Sequence, residues 1–171
     1  LQLEIPAAAI EAALTAARAR GITTIINIAP LTIDAARLAA LADIVIANEG
    51  EFELYAGRNG LGDDERETEM LRINKQTQQT LIVTLGADGV VAARNGTIVK
   101  AAGLKIDPVD TVGAGDTFCG YFAAGLDSRL DFATCIRQAA VAGSLACLKA
   151  GAQPSIPFAA DVRAASGKAA V

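Results

Sequence analysis

Three short apolar runs constrain the fold of this chain more than any other feature. Residues 22–28, 43–47 and 81–85 are rich in Ile, Val and Leu, and Gly, Pro, Asp or Asn stand close by. Runs of this length and composition read as buried strands. Between them lie segments whose apolar residues recur at spacings of three and four, the helical period. Strands and helices alternating in this way build a parallel sheet with helices on both faces, so the predicted fold class is α/β. The first predicted helix, 6–20, opens at Pro6 and stops at Gly21. Others follow at 32–42, around Phe52 to Tyr55, and at 63–79. Asn95-Gly96 predicts a hairpin of 90–94 with 97–101. Two alanine-rich segments, 114–126 and 131–148, are apolar nearly all round and predict buried helices.

Composition narrows what such a sheet can serve. With 171 residues, 52% hydrophobic and 20% charged, the chain is expected to form one domain, 1–171, with a sizeable core. Disorder is excluded. A net charge of −4 argues against a nucleic-acid surface. It does not argue against phosphate, which backbone amides bind without a basic surface. There is no histidine, which rules out His-ligated metals, Ser-His triads and a His general base. Cys119, Cys135 and Cys147 lie far apart in apolar segments. They read as buried thiols in a reducing cytoplasm, not as a disulfide framework or zinc site. The longest uncharged runs, 21–33 and 138–148, fall short of the roughly 18–20 residues of a membrane span. The polar, acidic start (Gln2, Glu4) lacks the basic region of a signal peptide. The sole methionine is Met70, so the chain reads as a processed form or as a piece of something longer.

Polar residues gather at the carboxyl ends of the predicted strands, where open α/β sheets bind ligands. The clusters are 48–51, 84–89 and 110–116. The last reads Asp110-Thr111-Val112-Gly113-Ala114-Gly115-Asp116. Its glycines permit a tight turn and close approach to a ligand. A helix starting at Ala114 would present the amides of Ala114, Gly115 and Asp116 as unpaired donors, an anion site backed by the positive helix end. Asp116 inside that site is either an N-terminal capping acid or a base facing an attacking hydroxyl while the amides hold a phosphoryl group. Asn48 and Glu51 have capping-box spacing, residues 84–89 could be a plain turn, and Asp110 and Glu4 could be solvated acids. A dinucleotide fingerprint is absent, because Phe118 stands where its third glycine belongs. A P-loop is absent too, with Val162 in place of the first glycine before Gly167-Lys168.

Residues 110–118 with Gly120 resemble the C-terminal signature of the ribokinase-like sugar kinase family, D-T-x-G-A-G-D-x-F-x-G. Asn48-Glu49-Gly50-Glu51 resembles its N-x-x-E motif, and Thr84-Leu85-Gly86-Ala87-Asp88-Gly89 its T-x-G nucleotide turn. Residues 149–157 resemble its K-G-A-Q-P-S-x-P end segment, and Asn27-Ile28-Ala29-Pro30 its N-P-A-P. The resemblance implies a three-layer α/β/α, Rossmann-like fold, here without the N-terminal part and β lid. It implies ATP-dependent phosphorylation of a sugar primary hydroxyl, D-ribose being the acceptor that 149–157 favours. The alternatives are a related sugar kinase, such as a fructokinase or deoxyribokinase, or an inactive piece that still binds nucleotide.

By position, Asp116 would be the catalytic base, with Gly113, Ala114 and Gly115 as the anion hole. Asn48, Thr84, Leu85, Gly86, Ala87, Asp88, Gly89, Gly115, Asp116 and Ala140 would line ATP. Glu4 and Asp116 would meet the sugar, and Glu51 would act on Mg²⁺ indirectly. K⁺ would lie among Asp110, Val112, Ala146, Lys149, Gly151 and Ser155. The expected partner is a small-molecule sugar, with no nucleic acid or membrane, and the full-length protein is expected to be a homodimer.

Overall fold

The three apolar runs are the parallel strands of a five-stranded sheet. In the computed structural model, which describes residues 1–168, these are β1 (Ile25–Asn27), β2 (Ile44–Asn48) and β3 (Thr80–Thr84). β4 (Val90–Arg94) and β5 (Thr97–Ala101) complete the order β1-β2-β3-β4-β5. Ile26 pairs with Val45, Ile46 with Ile82, and Asn48 with Thr84. Residues 44–47 and 80–83 are buried one after another, as parallel strands covered on both sides require. β4 and β5 form the expected hairpin, with Asn95 and Gly96 both at positive φ.

The chain divides into two compact units, residues 1–84 with 91–99 and residues 85–90 with 100 onward. In the first, α1 (Ala7–Arg18) precedes β1 and packs on α2 (Ala35–Ala39). α3 (Glu49–Ala56) and α4 (Asp63–Thr77) bridge β2 to β3. The core of this unit includes Ile10, Leu14, Ile26, Leu38, Phe52, Met70 and Leu81, each at most 1% exposed. β1 and α2 are cut to about half or less of the stretch the sequence predicts. Ile22 is exposed, and the amide and hydroxyl of Thr24 donate to Asp43 Oδ2, so β1 starts at Ile25. α2 stops at Ala39 because Leu41 and Ala42 donate three residues back, to Leu38 and Ala39. Pro6 is the N-cap of α1 and not its first helical residue.

The outer edge of β1 is not left open. The amino group of Leu1 donates to the Ile25 carbonyl at 2.9 Å, Asn27 N–H donates to Leu1, and Leu3 N–H donates to Ala29. Residues 1–3 therefore run along that edge and occupy backbone groups that would otherwise invite pairing.

Arg66 on α4 is a buried cation with no sequence signal. Its side chain is 6% exposed and donates to Asp63 at 2.7 Å, to Glu49 at 2.9 Å and to the Leu61 carbonyl at 3.3 Å. It thereby ties the start of α4 to the first residue of α3. Both carboxylates are half exposed or more, so they regain water if the cation is removed. Arg66→Met is therefore expected to stay within about 1 kcal/mol of the parent. Arg66→Ala, which leaves a void, should cost about 2–3 kcal/mol in a urea melt.

The second unit is helical. α5 (Ala114–Asp127) packs closely along α6 (Phe132–Ala146). The approach favours glycine, since a Cβ on Gly125 would stand 3.0 Å from Cys135 Sγ, a tight contact. Phe122, fully buried, meets Phe132 edge-on at 5.9 Å. Asp131 caps α6 by accepting Thr134 N–H at 2.9 Å. α7 (Ala159–Lys168) has no counterpart in the sequence reading. Its Val162 is 1% exposed and packs on Val141 and Ala142. All three cysteines are thiols, and Cys119 and Cys147 are only partly buried, against expectation. None of the described helices is long and apolar enough to cross a membrane.

Candidate active site

In the first unit, the register of β2 and β3 brings Asn48 and Thr84 side by side at the carboxyl ends of their strands. Thr84 Oγ1 donates to the Ala47 carbonyl at 3.3 Å. Asn48 and Glu51 form the reciprocal cap their spacing predicts. Asn48 Oδ1 accepts Glu51 N–H at 2.8 Å, and Glu51 Oε2 accepts Asn48 N–H at 2.9 Å. Glu51 Oε1 accepts no hydrogen bond from the described residues. One oxygen of this carboxylate builds the helix start and the other remains available. Glu4 is exposed, and its carboxylate accepts the Gln2 side-chain amide at 2.7 Å.

In the second unit, residues 85–89 form a tight loop around a single 3₁₀ turn (Gly86–Asp88). Leu85 N–H donates to the Gly89 carbonyl at 2.8 Å, and Asp88 N–H donates to Leu85 at 3.0 Å. Gly86, Ala87 and Asp88 are exposed, while Gly89 is buried at φ 92°. Ala140 lies nearly buried on α6, and its carbonyl accepts Ser144 Oγ at 3.0 Å.

Gly113 is the N-cap of α5 at φ 77°, which places Ala114, Gly115 and Asp116 in the first turn. The sequence expectation of three unpaired amides needs one correction. Ala114 N–H donates to the Thr111 carbonyl at 3.2 Å, because the Thr111–Ala114 turn closes on itself before the helix begins. The amides of Gly115 and Asp116 have no acceptor among the described residues. Asp116 is exposed and makes no side-chain cap. The outcome is a helix start with two open N–H donors and a solvent-facing carboxylate. Such an end favours an anion both by its donors and by its dipole.

Asp110 holds the loop leading to that start. Its Oδ2 accepts Gly151 N–H at 2.8 Å and its Oδ1 accepts Val112 N–H at 3.0 Å. The Cys147 carbonyl accepts the amides of Val109 and Asp110. Residues 147–152 therefore fold back on 109–113, with Ala152 against Gly113, where a Cβ would stand 3.0 Å from that of Ala152. Ser155 is buried and donates through Oγ to the Ala152 carbonyl at 2.7 Å. Val112 and Lys149 are exposed and Ala146 is buried. The predicted cation-binding residues thus lie on two segments, 110–112 and 146–155, that the Asp110 carboxylate and the Cys147 carbonyl tie together.

The Gly151 N–H, and after it the Val112 N–H, holds the Asp110 carboxyl below the usual carboxylate range. A lowered folded-state pKa adds stability above the ordinary carboxylate value, and that stability is lost as pH falls through the lowered one. Asparagine cannot accept from two amides with two oxygens. Asp110→Asn is therefore expected to lower the melting temperature at neutral pH. It should also flatten the fall in that temperature as the pH drops through and below the ordinary carboxylate range, which a thermal melt at each pH would show.

Sequence reading missed Arg66, whose partner Glu49 lies inside the N-x-x-E motif. It also missed the hydroxyl of Tyr121, which donates to the Pro157 carbonyl at 2.7 Å. An Arg in a polar helix and a Tyr in an apolar one carry no signal of either contact.

Comparison with known proteins agrees with this geometry. The pfkB family carbohydrate kinase description matches residues 1–159. The chain is 34% identical over 158 residues to the ribokinase of Haemophilus influenzae, covering 92% of this chain and 51% of that protein. It is 35% identical over 162 residues to the ribokinase of Staphylococcus aureus, covering 94% and 53%. The chain thus spans about half the length of the curated relatives it matches. The structure of Arabidopsis thaliana ribokinase complexed with ribose and ATP superposes with a TM-score of 0.89 at 27% identity, over 97% of this chain and 54% of that one. The strand and helix order described above is therefore the ribokinase-like α/β fold. A family match from residue 1 to residue 159, running through the Asn48 cap, the 84–89 turn and the α5 start, makes this chain a member of the pfkB family of carbohydrate kinases.

Proposed function

We propose that this chain carries the phosphoryl-transfer machinery of an ATP-dependent sugar kinase whose acceptor is the primary hydroxyl of D-ribose. The observation that carries this reading is the start of α5, where an exposed carboxylate stands beside two open amides. Phosphoryl transfer asks mainly for positioning and charge stabilisation. Asp116 takes the proton of the sugar hydroxyl as its oxygen bonds to the γ-phosphorus. The bond from that phosphorus to the bridging oxygen breaks, and ADP leaves. Gly115 and Asp116 N–H, with the Gly113 turn that aims them, offset charge on the phosphoryl oxygens. Asn48, Thr84 and the 85–89 turn receive the nucleotide, with Ala140 as a small residue near the base, and Glu4 reaches the sugar. The ribokinases among the relatives, one of them solved with ribose and ATP, support the choice of acceptor.

Two cations belong to this reading. The described residues hold no cluster of three His, Cys, Asp or Glu side chains that could seat a metal. Mg²⁺ on the nucleotide would then keep most of its waters, and the open oxygen of Glu51 fits a water-mediated contact. It would neutralise phosphate charge. The carboxylate of Asp110, carbonyls of Val112, Ala146, Lys149 and Gly151, and Ser155 Oγ are all oxygen donors, which suits K⁺. K⁺ there would stiffen the loop before the anion site.

The test is ADP release from Mg·ATP and D-ribose, with and without K⁺, by this chain and by Asp116→Ala. A K⁺-stimulated rate that the substitution abolishes is the expected result. A second reading, nucleotide binding without turnover, is favoured by the chain's spanning half of its relatives' length. It predicts calorimetric ATP binding with no ADP release.

A further inference from the structure

The segment 149–157 carries Gly151 and Ser155, yet Pro154 and Pro157 lack the N–H groups that would tie it down. Beyond Gly151, its own bonds are local. Ser155 reaches Ala152 through both N–H and Oγ, and Ile156 N–H reaches Gln153. A side-chain donor from outside fastens its far end. Tyr121 Oη donates to the Pro157 carbonyl at 2.7 Å, while its ring packs with Leu104 and Leu145 against Val141, Ala142 and Val162. Burial first, then the Asp161 charge, pushes the Tyr121 pKa up, so the phenol keeps its proton at neutral pH.

Tyr121 stands five positions after Asp116 on the same helix. The contacts close a circuit within one unit. They run from α5 through Tyr121 to Pro157, back along the 152–155 turn to Gly151, and from Gly151 N–H to Asp110. The other Asp110 oxygen holds Val112, which precedes Gly113 and the start of α5. A circuit of hydrogen bonds with both ends on one helix fixes the loop relative to that helix better than either end alone.

We propose that Tyr121 is a positioning residue. Its hydroxyl holds 151–157, and through Gly151 the 110–113 loop, in the arrangement that receives the phosphoryl group and a monovalent cation. This rests on the kinase reading above. Tyr121→Phe removes the hydroxyl and leaves the ring.

The experiment titrates Mg·ADP by calorimetry across a K⁺ series into the chain and into Tyr121→Phe. Amide hydrogen exchange at Gly151 and the melting temperature are recorded alongside. The K⁺ concentration giving half the full effect on ADP affinity should rise about 3- to 10-fold, the loss of one ordinary hydrogen bond. Gly151 exchange should quicken by a similar factor, and ADP affinity at saturating K⁺ should return to the parent value. Tyr121 as mere packing predicts a lower melting temperature with an unchanged K⁺ midpoint. That outcome, or unchanged Gly151 exchange, overturns the positioning role while the kinase reading stands. Failure of both proteins to bind Mg·ADP overturns the kinase reading and this proposal with it.

Discussion

Asp116→Ala is expected to lower sugar phosphorylation by about 10²–10⁴-fold, the usual contribution of a positioned general base. The affinity for Mg·ATP should hold or rise. In the parent, a carboxylate stands in the first turn of α5 beside the open amides of Gly115 and Asp116. Phosphate oxygens at those amides meet a like charge, and alanine removes it while keeping both N–H donors. Binding and turnover should therefore move apart. Initial rates of ADP release beside calorimetric ATP binding measure the two separately. Parallel loss of both would mark Asp116 as a helix-start or ligand-binding residue and remove it from the role of base.

Gly89→Ala should be the most damaging small substitution in the 85–89 turn. Gly89 sits at φ 92° and ψ −124°, a conformation that residues with a Cβ avoid. A Cβ there would also collide with the Ala101 carbonyl oxygen and stand 2.9 Å from Ala102 Cα and Gly103 N. These are backbone atoms, so no side-chain rotation relieves the contact. Strain of about 1–3 kcal/mol from the backbone angles alone, with the collision added, predicts a drop in melting temperature of roughly 6–12 °C. Gly86→Ala is the control. Gly86 has φ 56°, and a methyl group there would meet nothing within 4 Å, so strain of about 1–2 kcal/mol is the whole cost. Thermal melts of the two variants test the difference. Equal losses would mean that the turn relaxes around residue 89.

Sheet and motifs were legible because their signals are local. The β-branched runs mark β1, β2 and β3, Asn95-Gly96 marks the hairpin, and Asn48 with Glu51 marks a cap; all are found, though β1 begins three residues late. Contacts between distant residues left no such trace. The two glycines 86 and 89 look alike in sequence, yet only one faces a backbone carbonyl from residue 101. α7 went unseen because a single buried residue, Val162, anchors it and gives no period to detect. Tyr121 reads as core beside Phe118 and Phe122, and only its hydroxyl partner thirty-six positions later separates it from them. The pairing of Ala114 N–H with Thr111 was hidden for the opposite reason. It is so local that a turn and a helix start compete for one donor, and residue types alone do not decide between them.

In the proposed reading Glu51 serves chemistry and folding at once. One of its oxygens accepts the Asn48 amide at the start of α3, and the other is the one proposed to meet a hydrated cation. A replacement that removes that second oxygen, such as Glu51→Ala, also loses the Glu51 half of the reciprocal cap at the start of α3, while Asn48 Oδ1 keeps its N–H partner. Glutamine alone keeps the cap and drops the charge. Lineages drifting away from catalysis therefore have a narrow neutral exit at this position, and selection for a folded chain alone would preserve most of the motif. An intact N-x-x-E is for that reason weaker testimony to a working kinase than an intact Asp116, which is exposed and makes no side-chain cap.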